Sequence, residues 1–171
     1  LEEAEHALLE ALRLAGFSSP TWNNLGILYG RQGKYRDAAA AYQRALEFDT
    51  GNSGALMNLG LLHLKAREYA KCAEVFCRAV RKYPQKETLL FNAGNAAAEI
   101  MKDGRAFEAI QILRELVVAK PKGLNYWHNL ALALWHIKDK EGAASCFKQV
   151  IEIDPAEDFA WLSLAKLAAE Q

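Results

Sequence analysis

From Ser19 to Asn52 the chain reads SPTWNNLGILYGRQGKYRDAAAAYQRALEFDTGN, and its apolar residues fall at helical spacing in two runs separated by Gly33. The first run puts Trp22, Leu25, Gly26 and Tyr29 on one stripe, and the second puts Ala38, Tyr42 and Ala45 on another. Steps of three and four residues predict two amphipathic helices, the first ending near Gln32 and the second running from Tyr35 to Phe48. Pro20 suits a first helical turn and Ser18 or Ser19 its cap, while Thr50, Gly51 and Asn52 break the second run.

The same pattern is then written again. With Ser19 as position 1 of 34, the residues just named stand at positions 4, 7, 8, 11, 20, 24 and 27. Starting from Ser53, those positions hold Leu56, Leu59, Gly60, His63, Cys72, Phe76 and Ala79, with Pro84 at 32. Starting from Leu124, they hold Trp127, Leu130, Ala131, Leu134, Ala143, Phe147 and Val150, with Pro155 at 32. Large residues at 4, 7, 11 and 24 fill the space between two antiparallel helices, and small ones at 8, 20 and 27 let the backbones approach. A hairpin this short cannot bury its apolar face alone, so neighbours must stack on it.

The pattern resembles the tetratricopeptide repeat, with its Trp, Leu-Gly, Tyr, Ala, aromatic, Ala and Pro in that order. The resemblance covers nearly the whole chain and implies an all-α fold, a right-handed superhelical solenoid of antiparallel helix hairpins. One array over 1–171 is expected: a second helix of a preceding repeat (1–18), repeats at 19–52, 53–86, 87–123 and 124–157, and a further first helix or capping helix (158–171). Ala4, Leu8 and Ala11 then take positions 20, 24 and 27 of the preceding unit, with Gly16 at the proline position. With a second helix first and Leu at residue 1, the expectation is a piece of a longer array. In 158–171, Trp161, Leu164, Ala165 and Ala168 take positions 4, 7, 8 and 11, and Phe159 and Leu162 spoil a polar outer face.

Two irregularities stand out. Arg67 and Glu68 replace the turn glycine, so that turn is expected to do without the left-handed conformation Gly adopts easily. In the third repeat, reading forward from Glu87 puts Leu90, Ala93, Gly94 and Ala97 at 4, 7, 8 and 11. Reading back from Pro121 puts Ala109, Leu113 and Leu116 at 20, 24 and 27 only with three inserted residues, expected between Ala97 and Gly104. Small Ala93 and Ala97 are then offset by bulky Leu116. The insertion reads first as a tolerated helix extension and second as a rim for a partner.

Composition narrows the function. Lys plus Arg and Asp plus Glu number 21 each, which argues against a nucleic-acid or anionic-membrane binder, and no apolar run approaches the roughly 20 residues of a membrane span. Cys72, Cys77 and Cys146 read as small buried hydrophobes, and three thiols leave one unpaired, which points to a reducing, intracellular compartment such as the cytoplasm. No phosphate loop or nucleophile motif is present, so no enzyme, no catalytic residue and no cofactor is expected. His6, His63, His128 and His136 do not reach metal-ligand spacing, since even His128 and His136 are about two turns apart, so no metal is expected.

The resemblance implies that first helices line a concave wall through positions 2, 5, 6, 9, 12 and 13. Position 6 is Asn in every complete repeat: Asn24, Asn58, Asn92 and Asn129. An amide donates and accepts at once, so this column either meets the backbone of an extended peptide, as in asparagine-ladder grooves of the family, or bonds within the stack. Met57, Leu61 and Leu64, then Phe91 and Asn95, then His128, Leu132 and Trp135 share that wall, with Trp135 as the expected anchor. Arg31, Lys65 and Glu99 at position 13 set a groove charge or a solvated face. The Lys and Arg set with which family members clamp a C-terminal carboxylate is absent from positions 5 and 6. The expected function is a protein-protein interaction scaffold holding an extended peptide of a protein partner. The alternatives are self-assembly into a homo-oligomer through open ends, and the substrate-recruiting arm of a larger enzyme such as a glycosyltransferase.

Overall fold

The computed structural model describes residues 2–15 and 18–169, and within them places ten α-helices and no strand. They are α1 (Glu2–Ala15), α2 (Ser19–Arg31), α3 (Tyr35–Phe48), α4 (Ser53–Lys65), α5 (Tyr69–Lys82), α6 (Glu87–Lys102), α7 (Ala106–Ala119), α8 (Leu124–His136), α9 (Lys140–Ile153) and α10 (Asp158–Ala169). Gly16 lies outside the described residues, as do the side chains of Ala4 and Ala11. The chain divides into two compact units, Leu1–Lys82 with α1 to α5 and Tyr83–Gln171 with α6 to α10.

In the first unit α2 packs on α3 and α4 on α5, while α1 lies on α2 and α3 on α4. The small residues permit this approach. A Cβ built on Gly26 would stand 2.5 Å from the Tyr42 ring, and one on Gly60 2.8 Å from the Phe76 ring. Phe76 is fully buried, which is worth about 2 to 3 kcal/mol for a side chain of its size. Ser19 does not cap its own helix. Its hydroxyl donates to the Ala45 carbonyl at 2.7 Å and accepts from the Asn52 amide at 2.9 Å, stitching α2 to the end of α3 and the start of α4. Asn52 in turn caps α4 by accepting from the Ala55 backbone N–H at 2.9 Å.

All four hairpin turns have one construction. Lys34, Glu68, Arg105 and Asp139 donate their backbone N–H to the carbonyls of Tyr29, His63, Ile100 and Leu134, at 2.9, 2.9, 3.1 and 3.0 Å. The residue before each donor is left-handed, with φ of 78° at Gly33, 58° at Arg67, 74° at Gly104 and 65° at Lys138. This is the Schellman closure, which satisfies the last helix carbonyls. Arg67 therefore adopts the conformation that the sequence suggested its turn would avoid, at a backbone cost of about 1 kcal/mol.

In the second unit α6 packs on α7, α7 on α8, α8 on α9 and α9 on α10. α6 has 16 residues where α2, α4 and α8 have 13. Counted back from the shared turn, Ile100 answers Tyr29, His63 and Leu134 at position 11, and Ala93, Ala96 and Ala97 answer positions 4, 7 and 8. All four are 0% exposed. The extra residues thus form an added first turn of α6 and do not lie between Ala97 and Gly104. Every side chain of α6 therefore stands three repeat positions lower than a count from Glu87 gives. Bulk missing at Ala93 and Ala96 is supplied by Ile112, Leu113 and Leu116 of α7, also fully buried.

At the far end α10 buries Ala160, Ser163 and Leu167 and leaves Phe159, Trp161 and Leu162 exposed.

Candidate functional site

The register of α6 decides which side chains face α8. Gly94, assigned by sequence to position 8 against its own second helix, stands at position 5, and a Cβ built on it would lie 2.9 Å from the Tyr126 ring of α8. A Cβ built on Gly123 would lie 2.7 Å from the other edge of that ring, so Tyr126 sits beside two glycines. Burial pushes its phenol above the ordinary range, with Glu87 adding to the shift and Lys120 opposing it.

Around this spacer the second unit opens a cleft of about 1030 Å³. Its walls carry Phe91 and Asn95 from α6 and Asn125, His128 and Asn129 from α8. Phe91 is 66% exposed. Asn95 takes position 6 in the corrected register and so matches Asn24, Asn58 and Asn129. Among the described residues the amides of Asn95, Asn125 and Asn129 have no hydrogen-bond partner. Asn92 is displaced from the wall: its amide donates to the Thr88 carbonyl one turn back in α6, at 2.6 Å. Asn92 does not line this cleft.

The charges lining the cleft balance. Lys120 forms an ion pair with Glu87, and Lys122 and Glu157 add one charge of each sign. His128 stacks on Phe159, with centroids 4.8 Å apart and planes at 32°, and meets the edge of buried Phe147 at 6.2 Å. Trp135 is half-buried and also lies edge-on to Phe147, at 6.1 Å, outside the cleft lining. Leu132 is half-buried, and Glu99 is exposed and paired with Lys102 at 2.6 Å.

In the first unit the wall residues meet differently. Asn58 donates its amide to the Asn23 side-chain carbonyl at 3.1 Å, the within-stack use of this position. Asn24 is exposed, and Met57, Leu61 and Leu64 are half-buried. Arg31 is exposed, while the Lys65 ammonium sits 4.6 Å from the centre of the Tyr35 ring. A second cavity of about 610 Å³ lies between α3 and α5, floored by Leu56, Leu59 and His63. Its His63 is 7% exposed and has Nδ1 2.6 Å from Glu68. Hydrogen bonds from Lys71 first and His63 second hold the Glu68 carboxyl below its usual range.

Burial pushes the Cys72 thiol up to about 12 and the Cys146 thiol up to about 11, so both stay protonated near neutrality. Among the described residues no three His, Cys, Asp or Glu side chains form a metal-binding group, and no helix is long and apolar enough to cross a membrane.

The wall positions could have flagged Asn125, which stands at position 2, but the pairing of Gly94 with Tyr126 carries no sequence signal until the register of α6 is known.

Comparison with known proteins agrees with this architecture. Family models described as tetratricopeptide repeat match residues 23–87 and 124–157, together more than half of the chain. The chain is 26% identical over 154 residues to BBSome complex member BBS4 of Xenopus tropicalis, covering 90% of this chain and 23% of that protein. It is 25% identical over 171 residues to Protein O-mannosyl-transferase TMTC3 of Homo sapiens, covering 99% of this chain and 19% of that one. The chain thus spans less than a quarter of either curated relative. Among solved structures it resembles YrrB, described as a TPR protein with an unusual peptide-binding site, with a TM-score of 0.58 and 20% identity over 96% of this chain and 83% of that chain. The MamA protein gives a TM-score of 0.58 and 18% identity over 90% of this chain and 82% of that one. Identities this low establish the fold, an all-α solenoid of helix hairpins, and nothing further.

Proposed function

The chain belongs to the tetratricopeptide repeat family, and from that premise we propose that it is a protein-protein interaction scaffold that holds an extended segment of a partner protein against its first helices. The observation that carries this is the set of unspent amides on one cleft. Asn95 and Asn129, both at position 6, face it with no partner of their own among the described residues. A side-chain amide can donate to one peptide carbonyl and accept from the next N–H, so two of them in register hold a main chain without reading its sequence. Within the first unit Asn24 stands at the same repeat position and is exposed, while Asn58 is engaged with Asn23.

The test uses the whole chain and fluorescently labelled synthetic peptides of random sequence. After selection, Asn95→Ala with Asn129→Ala should weaken the selected peptides by about 1 to 3 kcal/mol, the scale of hydrogen bonds left unmade. Unchanged affinity in a folded double variant refutes the amide column.

A second reading follows from the likeness to an O-mannosyl-transferase over nearly the full length of this chain. There the array would be the recruiting arm of a larger enzyme, and the same cleft would hold the acceptor polypeptide. Full-length protein with and without Asn95→Ala and Asn129→Ala separates the two, since a recruiting arm changes KM for a polypeptide acceptor and not for a short one.

A further inference from the structure

In the cleft between α6 and α8 the telling residue is Gly94. It stands where Asn23 stands in the first unit, at position 5 of the preceding first helix. In the first unit the Asn23 side chain occupies the amide at position 6 of the next helix, Asn58. Gly94 has no side chain to offer, so Asn129 keeps its amide, and Tyr126 takes the vacated space and keeps α6 and α8 apart. One wall of the resulting cleft exposes Phe91 over 66% of its surface. An aromatic ring so placed sits where the side chain of a guest segment would cover it, and burying such a ring dominates the energy of peptide contacts. Formal charges in the lining cancel, because Lys120 is already paired with Glu87 and Lys122 is matched by Glu157.

We infer that this cleft is the specificity pocket of the chain, selecting an extended peptide segment with no net charge and one bulky apolar side chain that packs on Phe91. This rests on the peptide-holding reading above and assigns it a ligand chemistry. Trp135, the anchor suggested by sequence, is edge-packed on Phe147 outside the cleft lining and takes no part.

The experiment probes the full chain with three sets of labelled synthetic peptides: neutral ones with a central Trp, Phe or Leu, the same flanks with a central Ala, and acidic or basic versions of the first set. Anisotropy is read at low and high salt for the parent chain and for Phe91→Ala, with circular dichroism as the check on folding. The inference expects the neutral apolar set to bind best, with little salt dependence, and Phe91→Ala to weaken it by about tenfold. Phe91→Glu, which keeps the exposed position and adds a charge, should weaken it at least as much. If Phe91→Ala leaves affinity unchanged while Asn95→Ala lowers it, or if salt abolishes binding and one sign of charge is preferred, the specificity claim is overturned and the peptide reading survives. If the neutral apolar set binds no better than the Ala-centred control, the specificity claim is likewise overturned; if no peptide binds at all, the Ala-centred control included, both readings fall.

Discussion

The Asn58 side-chain amide donates to the Asn23 side-chain carbonyl at 3.1 Å, joining α4 to α2 across one layer of the first unit. Both residues are half-buried, so the bond is partly shielded from water and should contribute to stability. Asn58→Ala is expected to lower the unfolding free energy by about 0.5 to 1.5 kcal/mol. Urea denaturation of the two single variants and the Asn23→Ala, Asn58→Ala double variant measures this, and effects that simply add would show that the pair is not coupled.

The four left-handed turn residues predict opposite responses to glycine. Lys138 is exposed and held at φ 65°, so Lys138→Gly removes backbone strain without removing packing and should stabilise by about 0.5 to 1 kcal/mol. Gly104 is at φ 74°, and a Cβ there meets nothing within 4 Å, so Gly104→Ala isolates the backbone term and should destabilise by about 1 kcal/mol. Thermal or urea unfolding reads both.

Helical glycines separate by what a methyl group would strike. Gly60→Ala would drive a Cβ to 2.8 Å from the fully buried Phe76 ring, and a loss of about 1 to 3 kcal/mol is expected. Gly30→Ala meets only the Tyr42 hydroxyl at 4.0 Å and gains helix propensity, so it should be neutral or stabilising by up to about 1 kcal/mol. Equal losses at the two sites would contradict the packing described.

Cys72 carries a pH signature. Its thiol is raised by burial from an ordinary 9.0 to about 12. Below 9.0 it is protonated in folded and unfolded chains alike and adds no pH dependence. Between 9.0 and about 12 the unfolded chain releases the proton and the folded chain keeps it, so stability falls across that window as pH rises. Cys72→Ala, which installs the residue found at the equivalent positions Ala38, Ala109 and Ala143, should flatten that fall relative to the parent. Denaturation midpoints from pH 8 to 11 decide it. In the same spirit, Cys72 and Cys146 should react with a thiol reagent near neutral pH only after unfolding.

What the amino-acid pattern determined by itself is local. Apolar residues three and four apart, a turn glycine such as Gly33 and a break such as Thr50, Gly51 and Asn52 are enough to place α2 and α3, and the 34-residue recurrence extends the hairpin along the chain. These signals act within a few residues, where helix periodicity and turn conformations leave few options. The register of α6 is different in kind. A shift of three residues turns a helix to within about 60° of where it began, so the apolar run Leu89, Leu90, Ala93, Ala96, Ala97 and Ile100 offers a stripe in either reading.

Only tertiary packing chose between them. The turn at Gly104 anchors Ile100 beneath it, and the Tyr126 ring fits against Gly94 where no larger residue could stand. That choice set Asn95 on the cleft and turned Asn92 onto its own helix. Whether an amide bonds a neighbour or stays available depends on the residue opposite it in the next layer, Asn23 in one case and Gly94 in the other, and that pairing is made in space by helices that sequence spacing alone cannot bring into register.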